Sequence, residues 1–162
     1  MRGGDIMRIL AIDPGTTESA YVLYDTEERW IGGYGKVLNR DMLEVIDYCT
    51  YDRLAIEMIK SYGNAMGDSI LMTCVWVGRF MQAAETPIDL IPRKTIVTAL
   101  CNNPRANDSH VRQALIDRYT TSSMPAIGKK KTPGPLYGVK GDVWAALALA
   151  TVWKEMFDSI LS

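Results

Sequence analysis

Histidine, cysteine and phenylalanine are scarce in this chain of 162 residues: one, three and two, respectively. With His110 as the lone histidine, Ser-His-Asp or Cys-His catalysis would rest on that one position. Cys49, Cys74 and Cys101 are far apart, odd in number and without a C-x-x-C pair. That pattern excludes a disulfide framework or a zinc knuckle and makes a reducing compartment the expectation. Long apolar runs are missing too. The longest, 70–78 and 143–153, fall short of the ~20 residues that span a bilayer. Asp5 and Arg8 interrupt the opening residues, unlike a secretory leader. A cytoplasmic protein with no membrane partner is therefore expected, and residues 1–6 are either native or an upstream start before Met7.

Neither sign of charge is in excess: 18 Lys and Arg stand against 19 Asp and Glu, for a net charge of −1. The total gives no hint of a nucleic-acid partner, but the distribution does. Residues 86–140 carry nine Lys and Arg against three acids, a local charge of +6, which leaves −7 on the rest. A basic face on an acidic protein can hold a polyanion locally, because salt screens charges beyond ~8–10 Å. Hydrophobic residues make up 48% and charged residues 23%, a mix that excludes a disordered or collagen-like chain. The length fits one domain with a real core, spanning 1–162.

Residues 8–12 (Arg-Ile-Leu-Ala-Ile) read as a buried strand that stops at Asp13-Pro14-Gly15. Residues 19–24 and 30–38 are β-rich with acidic 25–28 as the turn between them, and Gly32, Gly33 and Gly35 weaken the third strand or mark a bulge. Asn39 is the expected N-cap of a helix with Met42, Val45, Ile46 and Cys49 on its apolar face. Leu54-Ala55-Ile56 is a further buried strand, ending in Glu57. Helical spacing runs through 64–85, with Met66, Ile70, Thr73, Val77, Phe80 and Met81 near one face and Ala65, Gly67 and Gly78 allowing close approach of another helix. Residues 87–91 form a strand, Pro92 opens a short helix to Leu100, and Asp108 or Ser109 caps a helix to Tyr119. Residues 120–141 read as a loop before a last helix from 142 to 161.

Two short strands thus deliver a carboxylate at their C-terminal ends, where ligands of open α/β sheets gather. If the two strands are parallel neighbours, Asp13 and Glu57 lie about 4–6 Å apart, since strands are spaced ~4.8 Å. Paired acids of this kind repel unless they share a cation, and hard oxygens suit Mg²⁺ or Mn²⁺. Asp142, after a glycine, would bring a third acid. Taken singly, Asp142 also reads as an N-cap and Asp13 as the start of an Asp-Pro turn.

Three segments in order, Ile9-Leu10-Ala11-Ile12-Asp13-Pro14-Gly15, Leu54-Ala55-Ile56-Glu57 and Gly141-Asp142-Val143-Trp144-Ala145-Ala146-Leu147-Ala148-Leu149-Ala150, resemble the RuvC-type Holliday-junction resolvases, above all the short versions carried by bacteriophages. The resemblance covers almost the whole chain, including Arg93-Lys94-Thr95. It implies an α/β RNase H-like fold, a mixed five-stranded sheet flanked by helices, and a homodimer that resolves four-way DNA junctions. It also implies Mg²⁺, with Mn²⁺ as a substitute and two ions per site, held by Asp13, Glu57 and Asp142 as the catalytic acids. One ion would activate water and the other the leaving 3′-oxygen, giving 5′-phosphate and 3′-hydroxyl products without a small-molecule cofactor. The family has two metal-site residues three apart on the last helix, and here the later position is Ala145. Asp108 is the candidate replacement, with helix capping as its other reading, and Asp68 and Asp117 are assigned to solvated helix faces.

DNA contacts are expected from Arg93, Lys94, Arg105, Arg112, Lys129, Lys130, Lys131 and Lys140, with Lys60 and Tyr62 beside the second acid. Tyr62 and Phe80 could stack on bases, core packing being the better assignment for Phe80. The 129–131 loop is expected to order only on DNA. A symmetric dimer suits a two-fold junction, and the 64–85 helix is the expected interface. Three alternatives stand beside this reading. One is an RNase H-like nuclease for flaps, forks or other branched DNA. Another is a non-catalytic junction-binding protein, motivated by Ala145. The third, an actin-like or sugar-kinase ATPase built on Asp13-Pro14-Gly15-Thr16-Thr17, needs two such domains, more than this length supplies.

Overall fold

The computed structural model describes residues 7–162, including every side chain among them except those of Trp30 and Leu161. In chain order the elements are β1 (Arg8–Asp13), β2 (Glu18–Asp25), β3 (Trp30–Leu38), α1 (Asn39–Tyr48), β4 (Arg53–Met58), α2 (Asp68–Ala83) and β5 (Ile88–Pro92). After these come α3 (Arg93–Cys101), α4 (Asp108–Tyr119), β6 (Gly128–Lys129), β7 (Thr132–Pro133) and α5 (Val143–Leu161). The first five strands make one sheet in the order β3-β2-β1-β4-β5. β1 runs parallel to β4, β4 parallel to β5, and the β1-β2 and β2-β3 pairs are antiparallel. This is the expected mixed five-stranded α/β sheet flanked by helices.

Alternate residues of the central strands serve opposite faces. Ile9, Ala11, Ala20, Val22, Tyr24 and Ala55 face α3, α4 and α5, where Leu115, Leu147 and Trp153 help fill the core. Leu10, Ile12, Leu54 and Ile56 face α1 and α2 and meet Met42, Ile46, Val77 and Phe80. Both faces are covered, so β1 and β4 read as continuous apolar runs. Because the α5-facing series of Ile9 and Ala11 in β1 and of Ala55 in β4 continues in steps of two, Asp13 and Glu57 emerge at the strand ends on the α5 face. The glycine-rich third strand contains the anticipated bulge: its pairing skips from Leu23–Gly33 to Tyr24–Ile31, which leaves Gly32 as the extra residue.

Several local assignments change. Asn39 is not an N-cap; it is the buried first residue of α1, donating to the Gly15 carbonyl at 2.9 Å and accepting from the Ser19 hydroxyl at 2.6 Å. A fully buried amide that ties two loops is held by tertiary partners rather than by its own helix. The helix expected over 64–85 begins only at Asp68, and Ile70 lies on its exposed side. Phe80 is fully buried beside Trp76, which removes it as a base-stacking residue. Neither Asp108 nor Ser109 caps α4. Asn107 does, in a reciprocal pair with His110 that satisfies both exposed N–H groups. Residues 120–141 are not wholly a loop, nor do Lys129–Lys131 lack structure of their own: they form the β6-β7 hairpin. Its base is fastened by Gly134 N–H to Ile127 O and Leu136 N–H to Ala126 O, both 2.8 Å, with Ala126 and Leu136 buried. Gly128, at the base of the hairpin opposite Pro133, has φ 70°, and a Cβ there would strike the Thr132 carbonyl. Asp68 and Asp117 lie on exposed helix surfaces, as anticipated. The question of residues 1–6 lies outside the described residues. No described helix is long and apolar enough to cross a membrane.

Candidate active site

The parallel β1–β4 pairing puts Ile12 opposite Ile56, so Asp13 and Glu57 are next-door residues at the same sheet edge. Arg93 reaches them from the start of α3, immediately beyond β5. These three come together with Asp142, at the N-cap position of α5, in an open cleft of about 660 Å³ that is also lined by Asp108, Arg112, Lys140, Trp144 and Ala145.

Electrostatics make the two central acids unusual. Glu57 is a close neighbour of Asp13, and its negative charge bears directly on the Asp13 carboxyl. Burial, then the neighbouring charges of Glu57 and Asp142, push Asp13 up to about 8. Burial also raises Glu57, against the opposing pull of Arg93, whose Nη1 is 3.9 Å from Glu57 Oε2. That oxygen is buried without a hydrogen-bond partner. An orphaned buried oxygen on a pair of mutually repelling carboxyls is the chemistry of a site that wants a hard cation. The donor set of Asp13 and Glu57 therefore fits a divalent ion.

The outer acids are engaged elsewhere. Asp142 makes no capping bond to α5; its Oδ2 accepts from Lys36 Nζ at 2.7 Å. Asp108, exposed at the start of α4, pairs with Arg93. As the side chains stand, no three His, Cys, Asp or Glu among the described residues converge closely enough to hold a metal ion. Sequence spacing brought Asp13, Glu57, Asp108 and Asp142 to one cleft, yet it does not disclose these counter-ions.

The basic candidates divide by place. Arg93, Arg112 and Lys140 line the cleft. The Arg112 guanidinium lies over the Trp144 ring at 5.1 Å, which fixes its position. Lys60 and Lys94 flank the exposed Tyr62 ring at 5.8 and 5.1 Å. Lys129, Lys130 and Lys131 are exposed on the hairpin, and Arg105 is exposed in the turn after α3. Two residues were missed from sequence: Trp144, which lines the cleft, and Lys36, which reaches Asp142 from β3. No motif marks Lys36, whereas Trp144 is inside the third motif and its helical position next to Asp142 is a signal that could have been used.

No protein-family model and no curated protein matches the chain. Among solved structures it is similar to Thermus thermophilus RuvC, at a TM-score of 0.61 and 17% identity over 93% of this chain and 97% of that one. A second match is T. thermophilus RuvC in complex with a Holliday junction substrate, at 0.61 and 16% identity over 90% and 92% of the two chains. The chain has a RuvC-like fold. At these identities the likeness is one of architecture, and it extends over nearly the full length of both chains.

Proposed function

We propose that the chain is one RNase H-like nuclease domain, residues 1–162, that hydrolyses phosphodiester bonds in branched DNA, with four-way junctions as the substrate. The observation that carries this reading is the Asp13–Glu57 pair: two largely buried carboxyls, one of them with an orphaned oxygen, at adjoining strand ends in an open cleft. The RuvC-like fold and the cationic rim of Arg93, Arg112 and Lys140 support it. Asp13 and Glu57 would hold Mg²⁺ or Mn²⁺, with Asp142 completing the acidic set and Asp108 serving as partner to Arg93 rather than as a ligand. A divalent cation bound there supplies Lewis acidity and charge neutralisation for phosphodiester hydrolysis. Arg93 stabilises the ionised Glu57 and offers the remainder of its guanidinium to phosphate. Arg112, steadied on Trp144, and Lys140 anchor the strand on the other wall of the cleft. Lys60, Tyr62 and Lys94 form a neighbouring platform on which an unpaired base stacks between cations, and the hairpin lysines contact a flanking arm.

Paired incision of a two-fold junction calls for a homodimer. α2 offers the surface: Leu71, Met72 and Val75 are exposed, and the space above Gly78 is open. The protein acts in the cytoplasm, that of a host cell if the bacteriophage affiliation holds, and leaves 5′-phosphate and 3′-hydroxyl ends. The second reading, a non-catalytic junction-binding module, is favoured by Ala145 and by the engagement of Asp142 with Lys36. Cleavage of a labelled four-way junction in Mg²⁺, beside duplex and flap controls, separates the readings. Paired symmetric nicks are expected, lost in Asp13→Asn with junction binding retained. Binding without nicks would establish the module, and nicking of every branched form would remove the four-way selectivity.

A further inference from the structure

Lys36 is placed by strand register rather than by any motif. Asp13 of β1 pairs with Ala20 of β2, and Ala20 pairs with Lys36 of β3. The three side chains therefore lie in one row on the α5 face of the sheet, with the small buried Ala20 between the acid and the lysine. Across that row α5 begins, and its Asp142 carboxylate is bound by Lys36 Nζ at 2.7 Å, with Glu18 on the far side of the ammonium at 3.8 Å. One turn along α5 from Asp142, the cleft is lined by the methyl group of Ala145, which can ligate nothing. The cleft thus has an acidic pair with an orphaned oxygen at its centre and, beside it, an acid whose counter-ion is already built into the chain.

We propose that Lys36 is a positioning residue that supplies, as a tethered ammonium on Asp142, the positive charge a second divalent ion would bring, so that the cleft takes one divalent cation, at Asp13 and Glu57. This rests on the nuclease reading and departs from the two ions implied by resemblance. Lys36 holds the Asp142 carboxylate at the side of the cleft and lowers the local negative charge by one. The demand for metal is thereby confined to the pair that has no protein cation of its own in hydrogen-bonding contact.

Mn²⁺ binding to the full-length protein, counted by electron paramagnetic resonance of the free ion, tests this without recourse to activity. One Mn²⁺ per chain is expected, lost in Asp13→Asn and retained within about twofold in affinity in Asp142→Asn. Lys36→Met frees Asp142, and should bind the first ion about fivefold or more tightly or admit a second. Lys36→Arg keeps the charge and should restore the native isotherm. Lys36 is half exposed, so circular dichroism of these variants should match that of the native chain. Two ions in the native protein, one of them lost in Asp142→Asn, would overturn the proposal, as would a Lys36→Met isotherm indistinguishable from the native one. A native chain that binds no Mn²⁺ and leaves junctions intact would instead overturn the nuclease reading beneath it.

Discussion

Replacing Asp13 by Asn should stabilise the metal-free protein in mild alkali, although the residue is at the centre of the proposed catalytic set. The acid is moved from 3.8 to about 8 by burial and by the charges of Glu57 and Asp142. Between those pH values the native state binds more protons than the unfolded chain, so stability falls as pH rises through the interval. The contribution is fully present below about pH 4 and is lost above about pH 8. At about 1.36 kcal/mol per pH unit, ionising Asp13 in place costs the native state up to about 6 kcal/mol. The cleft is open, and water and Arg93 reach the pair, so a realised gain of about 2 kcal/mol is expected for Asp13→Asn. That corresponds to about 4–8 °C in Tm for a chain of this size. The amide can donate to Glu57 Oε2, now without a partner. Thermal melts of both proteins in EDTA from pH 5 to 8.5 read the difference directly. The variant should gain on the native protein steadily with pH, and Mg²⁺ should raise the Tm of the native protein alone. A constant difference in Tm across that range would refute the electrostatic account of the pair.

Phe80→Ala should lower unfolding stability by about 3–5 kcal/mol, because it empties a fully buried aromatic site between α2 and the sheet. Urea titration followed by circular dichroism would measure it, and a loss under 1 kcal/mol would contradict the packing described. Junction binding in Ca²⁺ should weaken steeply with salt. Replacing Lys129, Lys130 and Lys131 together by Ala should reduce the log–log slope by about 2–3, at ~0.9 per duplex phosphate contact. An unchanged slope would mean that the hairpin projects away from the DNA.

Much of the site was legible because its chemistry is attached to local patterns. Short apolar runs that break at Asp13 and Glu57 announce buried strands, and buried strands place whatever follows them at a sheet edge. The glycines of β3 signalled a bulge by the same local logic. Capping was less secure, since Asn39, Asn107, Asp108 and Asp142 are all good N-cap residues and only tertiary partners decide between them. Asn39 went to Ser19 and Gly15 and Asp142 to Lys36, so neither side chain caps its helix, while at α4 Asp108 pairs with Arg93 and Asn107 is the cap. The 129–131 lysines misled for a different reason: charge and Gly-Pro content suggest a mobile loop, while the hairpin is held by backbone bonds at its base and by Ala126 and Leu136 in the core.

What the amino-acid sequence determined by itself is the order of the five sheet strands and the five helices, the α/β class and the acids at two strand ends. These depend on side-chain periodicity and on turn residues, interactions that reach only a few positions along the chain. The tertiary structure alone decided that Arg93 faces Glu57 and that Lys36 rather than an acid on α5 stands beside Asp142. Each of these depends on strand register and helix placement across the sheet. A one-residue slip in β3 would turn Lys36 to the other face, and no local signal near position 36 encodes which face β2 will give it.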